Sequence, residues 1–211
     1  MARGLNVDLV VEAAVAIADA EGLAAVSMAT VAKRCGFTTM SLYRHVASKD
    51  ELVWRMLDRA LGPAPELVFD GWRDGLSQWA HTFMAMLRAH PWGVDIPING
   101  TLPTHAQLSW LNRGLEVLDG TGLEDGEGAD LVLLVNGYVF WASRLETSLA
   151  AAPPQPLVPP QHDLSEFPYV QRALAAGQFE DDMSPDENFQ SGLDRVLDGI
   201  GVLIARRGPV G

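Results

Sequence analysis

The chain has 211 residues, of which 48% are hydrophobic and 20% charged, so it can bury the core of one large or two small domains. Its net charge of -12 argues against a surface that binds nucleic acid or anionic lipid indiscriminately. Seven of the 15 Lys and Arg and seven of the 27 Asp and Glu lie within residues 1–60. The first part of the chain is therefore neutral, and the remainder carries the whole negative charge.

A single cysteine, Cys35, excludes an internal disulfide framework and any zinc site built from several cysteines. The first residues lack the apolar region of a signal peptide. The longest nearly apolar run, residues 131–142, is too short to span a bilayer. Together these features predict a cytoplasmic protein with no membrane segment.

Residues 6–21 have the pattern of an amphipathic helix. Apolar side chains recur at the i, i+3, i+4, i+7 spacing of one helix face: Val10, Ala13, Ala14 and Ile17. Gly22 follows as the residue type that commonly ends a helix.

Two short helices are predicted next, on either side of a turn at Gly36. Ser27 is a good N-cap for the first, which continues through Arg34, and Thr38 is one for the second, which continues to about His45. Such a pair around a tight turn is the arrangement that presents its second helix to the major groove of DNA.

A fourth helix begins at a capping box, residues 48–51, and stops at Gly62. The four predicted helices form a compact unit, which we assign as a domain covering residues 1–62. A second domain, residues 63–211, is then predicted to contain the longer helices.

In the second domain, apolar residues at helical spacing predict helices at about 66–89, 103–118, 125–149, 169–176 and 184–207. Residues 150–160 include five prolines, which exclude a helix interior and predict an extended spacer. No alternating strand pattern occurs in the sequence. The predicted fold class is therefore all-α.

The second short helix has the chemistry of a DNA-binding surface. Leu42 and Val46 are predicted to face inward, and the side chains left outside include short hydroxyls and an Arg, which can contact base edges and phosphates. These outward residues are Thr38, Thr39, Met40, Ser41, Tyr43, Arg44 and His45. Lys49, at the start of the next helix, can hold a phosphate together with the N-terminal amides of that helix.

The segment GFTTMSLYRHVASKDEL, preceded by SMATVA and the amphipathic first helix, closely resembles the DNA-binding domain of the TetR family of bacterial repressors, over roughly residues 7–60. The resemblance implies that a homodimer inserts the third helix of each subunit into the major groove of a palindromic operator. It also implies a helical C-terminal domain that binds a small-molecule inducer. The same resemblance implies which residues contact DNA. Those that face the bases are Thr39, Met40, Ser41 and Arg44, and those that contact backbone phosphates are Tyr43, His45 and Lys49.

Five of the six tryptophans lie after residue 60, and an aromatic stripe at helical spacing is usually core. A pocket for a small apolar or aromatic effector nevertheless needs an apolar lining with a few polar groups. The residues that we predict for such a pocket are Trp79, Phe83, Trp110, Tyr138, Trp141 and Arg144. For each of them, a role in the core remains the alternative.

Catalysis lacks support, because the sequence has neither an H-E-x-x-H nor a G-x-S-x-G motif and its histidines lack metal-ligand spacing. We therefore predict no enzyme activity and no cofactor or metal. Some TetR-family members have a guanine-reading Arg at the position of Ala29. Its absence, with the low number of basic residues, leaves open a ligand-binding or protein-interaction module whose helix-turn-helix does not bind DNA. A helical enzyme that uses the aromatic pocket is a further alternative.

Overall fold

The structure, a computed structural model, describes residues 5–97, 104–151, 158–159, 161–177 and 184–207. The described residues contain no strand, and the all-α prediction is confirmed. Their α-helices are α1 (Val7–Glu21), α2 (Met28–Cys35), α3 (Thr39–Leu42), α4 (Lys49–Leu61), α5 (Trp72–Ala89), α6 (His105–Val117), α7 (Asp125–Ala151), α8 (Pro168–Ala175) and α9 (Pro185–Arg207). Short 3₁₀ helices lie at Leu23–Ala25, Pro91–Asp95 and Leu164–Glu166.

Five of the first six α-helices begin at a polar residue whose side-chain oxygen accepts a hydrogen bond from a backbone N–H in the first turn. These N-caps are Asn6, Ser27, Thr38, Ser48 and Thr104. Each satisfies a donor that the helix itself leaves unpaired, and such a cap is typically worth about 1 kcal/mol. The predicted helix starts after residues 27, 38 and 48 are thereby confirmed.

Three local details differ from the predictions. α3 ends at Leu42, and the chain to His45 continues as turns, although Val46 N–H still donates to Leu42 O at 3.0 Å. In the predicted capping box, Glu51 accepts from the N–H of Ala47 at 2.7 Å, and not from the N–H of Ser48. The Glu51 carboxylate therefore fixes the backbone of Ala47, the residue before the Ser48 cap.

α5 begins at Trp72, whereas the periodicity predicts a start near Glu66. Gly71 has φ +81°, a conformation that favours glycine and interrupts the helix. Asp74 in the first turn accepts from the N–H of Asp70 at 3.0 Å, so the preceding chain caps the helix. The predicted start of the next helix at Pro103 lies outside the described residues, as does most of the proline-rich spacer, residues 152–157 and 160.

α1 to α4 form one unit, in which α1 packs against both α2 and α4. Its core includes side chains with no exposure, such as Val10, Leu42 and Met56. On the outside, Arg59 of α4 bonds the carboxylates of Asp8 and Glu12 on α1 at 2.7 and 3.4 Å. We call α1 to α4 the DNA-binding unit and α5 to α9 the body.

Four polar contacts between described residues attach the DNA-binding unit to the body, and two of them are the bond from Trp110 Nε1 to the carbonyl of Leu61 and the contact of His90 with Asp19. The other two lie at α4 and at the end of α1. Asp58 on α4 accepts from the N–H of Ala106 at 2.9 Å, in the first turn of α6. At the end of α1, Asp19 accepts from the indole N–H of Trp92 at 2.6 Å. These contacts connect α6 to α4 and Pro91–Asp95 to α1.

Candidate nucleic-acid interface and ligand site

The turn between α2 and α3 positions the candidate recognition helix. Gly36 adopts the left-handed conformation, with φ +76° and ψ 27°, which a residue with a Cβ atom rarely accepts. Its N–H and that of Phe37 donate to carbonyls near the end of α2, so α2 closes and the chain reverses. α3 then packs against α2 through Leu42, which is fully buried.

The outer face of α3 and the following turn carries all the residues predicted to contact DNA. Met40 is 73% exposed and Tyr43 is 48% exposed. The others are exposed or half-buried: Thr38, Thr39, Ser41, Arg44, His45 and Lys49. All eight predicted residues are thus exposed or half-buried, whereas Leu42 and Val46, which lie among them in the sequence, are buried.

The basic side chains of the DNA-binding unit fall into two groups. Arg55 and Arg59 are neutralised by ion pairs with carboxylates of the same unit. The other four that the structure describes form no ion pair with any described residue: Lys33, Arg34, Arg44 and Lys49. Unpaired basic side chains are available to DNA phosphates, and each such contact releases counterions from the DNA. Lys33 and Arg34 were not among the predicted residues, although their adjacency in the sequence is a signal for them.

Lys49 occupies the first position of α4, directly after the Ser48 cap. The next two residues are acidic, but the carboxylate of Glu51 already bonds the N–H of Ala47 and Nε of Arg55. These two bonds, chiefly the one from Ala47, lower the pKa of Glu51 below its ordinary value. Glu51 is thus ionised at neutral pH and directed toward its own helix, which leaves Lys49 available to a phosphate.

Three of the six predicted ligand residues form a packed aromatic cluster, which consists of Trp79, Phe83 and Trp110. Trp79 stacks on Phe83 with ring centroids 5.4 Å apart, and Trp110 meets both rings edge-on at 5.8 and 5.3 Å. All three are at most 5% exposed. Their indole N–H groups are satisfied, since Trp79 donates to the carbonyl of Trp110 and Trp110 donates to the carbonyl of Leu61.

The other three predicted ligand residues lie on α7, where the rings of Tyr138 and Trp141 have centroids 6.4 Å apart. Tyr138 stacks on Phe189 and donates to its carbonyl at 2.7 Å, and burial raises the pKa of the phenol. Trp141 is 61% exposed. Arg144, also exposed, donates to the carbonyl of Val94 at 3.3 Å. The aromatic cluster and these α7 residues are therefore distinct environments.

Within the described ranges, no group of three or more His, Cys, Asp or Glu side chains is placed to hold a metal ion. No helix in the same part of the chain is both long enough and apolar enough to cross a membrane.

A helix-turn-helix with an exposed polar face, fixed on a larger helical body, defines a DNA-binding transcriptional regulator. Comparison with known proteins identifies which kind. Residues 10–56 match the family described as bacterial regulatory proteins, tetR family, and residues 64–204 match the Tetracyclin repressor-like C-terminal domain. The chain belongs to the TetR family of transcriptional regulators. This family is not one of enzymes, which agrees with the expectation from the motifs.

Individual relatives agree with this assignment. The HTH-type transcriptional repressor DrrR1 of Streptomyces coeruleorubidus is 36% identical over 215 residues, which cover 96% of this chain and 80% of that protein. The crystal structure of apo ActR from Streptomyces coelicolor has the same fold, with a TM-score of 0.79, 24% identity and coverage of 98% and 99% of the two chains. The crystal structure of Streptomyces coelicolor ActR in complex with actinorhodin has a TM-score of 0.78 and 25% sequence identity to this chain. The match covers 98% of this chain and 100% of the ActR chain.

Proposed function

We propose that this TetR-family regulator represses transcription as a homodimer bound to a palindromic operator, and that a small aromatic molecule releases it. The observation that carries the proposal is the exposed face of α3 and its turn, beside the unpaired charges of Arg44 and Lys49. In this proposal the base-facing residues are Thr39, Met40, Ser41 and Arg44. The phosphate-binding residues are Tyr43, His45 and Lys49, and repression itself is supported by the relative DrrR1.

An exposed apolar surface on α7 and α9 supports the homodimer. Large apolar side chains there are between 41% and 59% exposed, namely Leu133, Leu134, Leu145, Leu149 and Val202, and Trp141 lies among them. On α7, Leu134, Trp141, Leu145 and Leu149 share one face by helical spacing, and an exposed apolar face is commonly an interaction site. A second copy of the same surface, related by a two-fold axis, would cover it and hold the two α3 helices in successive major grooves, about 34 Å apart.

The nature of the effector is suggested by the relatives and by the aromatic content of the body. ActR was crystallised with actinorhodin and, in another structure, with (S)-DNPA. In this chain the bond from Trp110 Nε1 to the carbonyl of Leu61, 3.3 Å long, joins the aromatic cluster to the last residue of α4. An effector that repacks the cluster would thereby move α4 and change the spacing of the α3 helices. Coupling of this kind is typically worth about 1 to 3 kcal/mol.

The test is selection of bound DNA fragments from a random library by the purified full-length protein, at near-physiological salt. Lys49→Ala removes one proposed phosphate contact per subunit, and Arg206→Ala removes an exposed basic side chain of the body as the matched control. We expect the wild type and the control to enrich the same palindromic site. Lys49→Ala should bind that site more weakly, and its log affinity should depend less steeply on log salt, by about 0.9 per lost contact.

If Lys49→Ala binds the selected site as tightly as the wild type, the assignment of this residue is wrong. If none of the three proteins enriches any sequence, the helix-turn-helix does not bind DNA. The chain would then be the ligand-binding or protein-interaction module considered as the alternative.

A further inference from the structure

A cleft of about 770 Å³ lies between the DNA-binding unit and the body. One wall is formed by α1 and by the C-terminal half of α4, and the other by α6. Its volume lies within the range of cavities that accept small organic molecules. None of the six residues predicted for the effector lines it.

Arginines outnumber carboxylates in the lining, although the chain as a whole has a net charge of -12. Each arginine already has an acidic partner: Glu51 for Arg55, Asp8 and Glu12 for Arg59, and Glu116 for Arg113. Three arginines line the cleft, Arg55, Arg59 and Arg113, against two carboxylates, Asp8 and Asp58. Both carboxylates are already engaged. Asp58 accepts from the N–H of Ala106 at 2.9 Å, and Asp8 bonds Arg59 at 2.7 Å.

Arg113 has a donor without an acceptor. Its Nη1 donates to Glu116 at 2.7 Å, but its buried Nε has no hydrogen-bond partner within the described part of the chain. Buried donors are nearly always paired, so an exception asks for an explanation. An acidic oxygen bound in the cleft beside this guanidinium would supply the missing acceptor after a small rotation of the side chain.

Arg59 can also turn toward a ligand at little cost. Its partners on α1 are the exposed Asp8 and Glu12, and ion pairs with exposed carboxylates contribute little to stability. Apolar groups complete the lining, among them Val11, Pro63 and Ala106. The cleft thus combines an apolar floor with guanidinium groups that can hold an anion.

We propose that this cleft binds a small organic anion, an apolar ring system with one carboxylate or sulfonate group. The acidic group lies between Arg59 and Arg113, and the ring lies against Val11 and Pro63. Binding at this site requires neither operator DNA nor the aromatic cluster. Because the ligand touches α1, α4 and α6 together, it stabilises one particular orientation of the DNA-binding unit on the body.

The experiment is a fluorescence titration of the full-length protein, without DNA, with 1-anilinonaphthalene-8-sulfonate, an anion of the proposed class. Its uncharged analogue N-phenyl-1-naphthylamine tests the requirement for the acidic group. Arg59→Met and Arg113→Met remove the two proposed anion ligands. Arg73→Met is the matched control, because Arg73 is as exposed as Arg59 and also bonds two carboxylates, Asp194 and Asp198.

We expect one saturable site per subunit, with affinity for the sulfonate lowered about tenfold by Arg59→Met and by Arg113→Met and unchanged by Arg73→Met. Neither cleft substitution should alter binding of the uncharged analogue. Asn112→Phe, which fills the cleft from α6, should abolish binding of both probes while circular dichroism and thermal unfolding remain as in the wild type.

Equal losses in Arg59→Met and Arg73→Met would overturn the proposal, since net charge alone would then explain them. Retention of the site in Asn112→Phe would also overturn it, because the probe would be bound elsewhere. Failure to select an operator leaves this test unaffected, so the two proposals can fail separately.

Discussion

The DNA-binding unit and the body differ in the exposure of the side chains from which their functions were predicted. In the unit, the polar residues from Thr38 to Lys49 lie within twelve residues of the sequence and are exposed or half-buried. In the body, Trp79 and Phe83 come from α5 and Trp110 from α6, 31 residues after Trp79, and the three rings pack together and are buried.

The difference shows that residue type identifies a site only where local structure fixes exposure. On a short capped helix, burial of the apolar residues fixes the orientation of the helix, so the polar residues on the other face must be exposed. A tryptophan on a long helix is core or surface according to what packs on it, as Trp110 at 4% exposure and Trp141 at 61% demonstrate.

The largest expected effect concerns the aromatic cluster. Trp110→Ala removes ring contacts with Trp79 and Phe83 and the bond to Leu61, and truncation of such a residue costs about 3 to 5 kcal/mol. Urea denaturation at fixed protein concentration should show this loss. Leu108→Ala, on the same helix but 54% exposed, should cost about 0.5 kcal/mol or less. If the two variants are equally mild, the cluster is a loose pocket and the contrast with the DNA-binding unit fails.

Next in size is the exposed tryptophan. If Trp141 lies in the dimer interface, Trp141→Glu should raise the dissociation constant of the dimer about 30-fold or more, as expected for an interface residue worth about 2 kcal/mol. Sedimentation equilibrium measures this directly. Leu108→Glu places the same charge at a comparably exposed apolar position on α6 and should leave the dimer intact. A dimer unaffected by Trp141→Glu would assign the apolar surface of α7 to another partner.

A smaller effect is expected at the start of the recognition helix. Thr38→Ala removes the acceptor for the N–H of Ser41, a bond of 3.2 Å, and should lower the free energy of unfolding by about 1 kcal/mol. Thr38→Ser retains the cap and should restore most of the stability in chemical denaturation. If serine does not restore it, the methyl group and not the cap is responsible.

The smallest effect is a pH dependence in the same unit. The pKa of Glu51 is lower in the folded protein than its ordinary value of about 4.5, because the carboxylate accepts from Ala47 and from Arg55. Its contribution to stability is therefore complete above about pH 4.5 and is lost as the pH falls through the lower folded-state pKa. Glu51→Gln should be less stable than the wild type at neutral pH, with the difference shrinking on acidification. Identical pH profiles in denaturation experiments would show that the carboxylate contributes nothing.

Much of the fold was predictable because helix starts are local. Ser27, Thr38 and Ser48 bond N–H groups three residues ahead, so their role is visible in a few letters of sequence. The start of α5 was placed too early, since the apolar period continues through a segment that the backbone of Gly71 interrupts. The partner of Glu51 was also misplaced, because the choice between two adjacent N–H groups depends on side-chain geometry and not on spacing.

The sequence by itself determined the all-α class, the helix-turn-helix and the residues that its second helix presents, because these depend on contacts within about four residues. Only the tertiary structure decided that Trp79, Phe83 and Trp110 pack together while Trp141 stays outside. It alone brought Arg59 of α4 and Arg113 of α6 to one cleft. The packing of the helices determines which side chains are buried and which charged residues from different helices lie close together. The spacing of residues along one helix does not specify which other helix will pack on it.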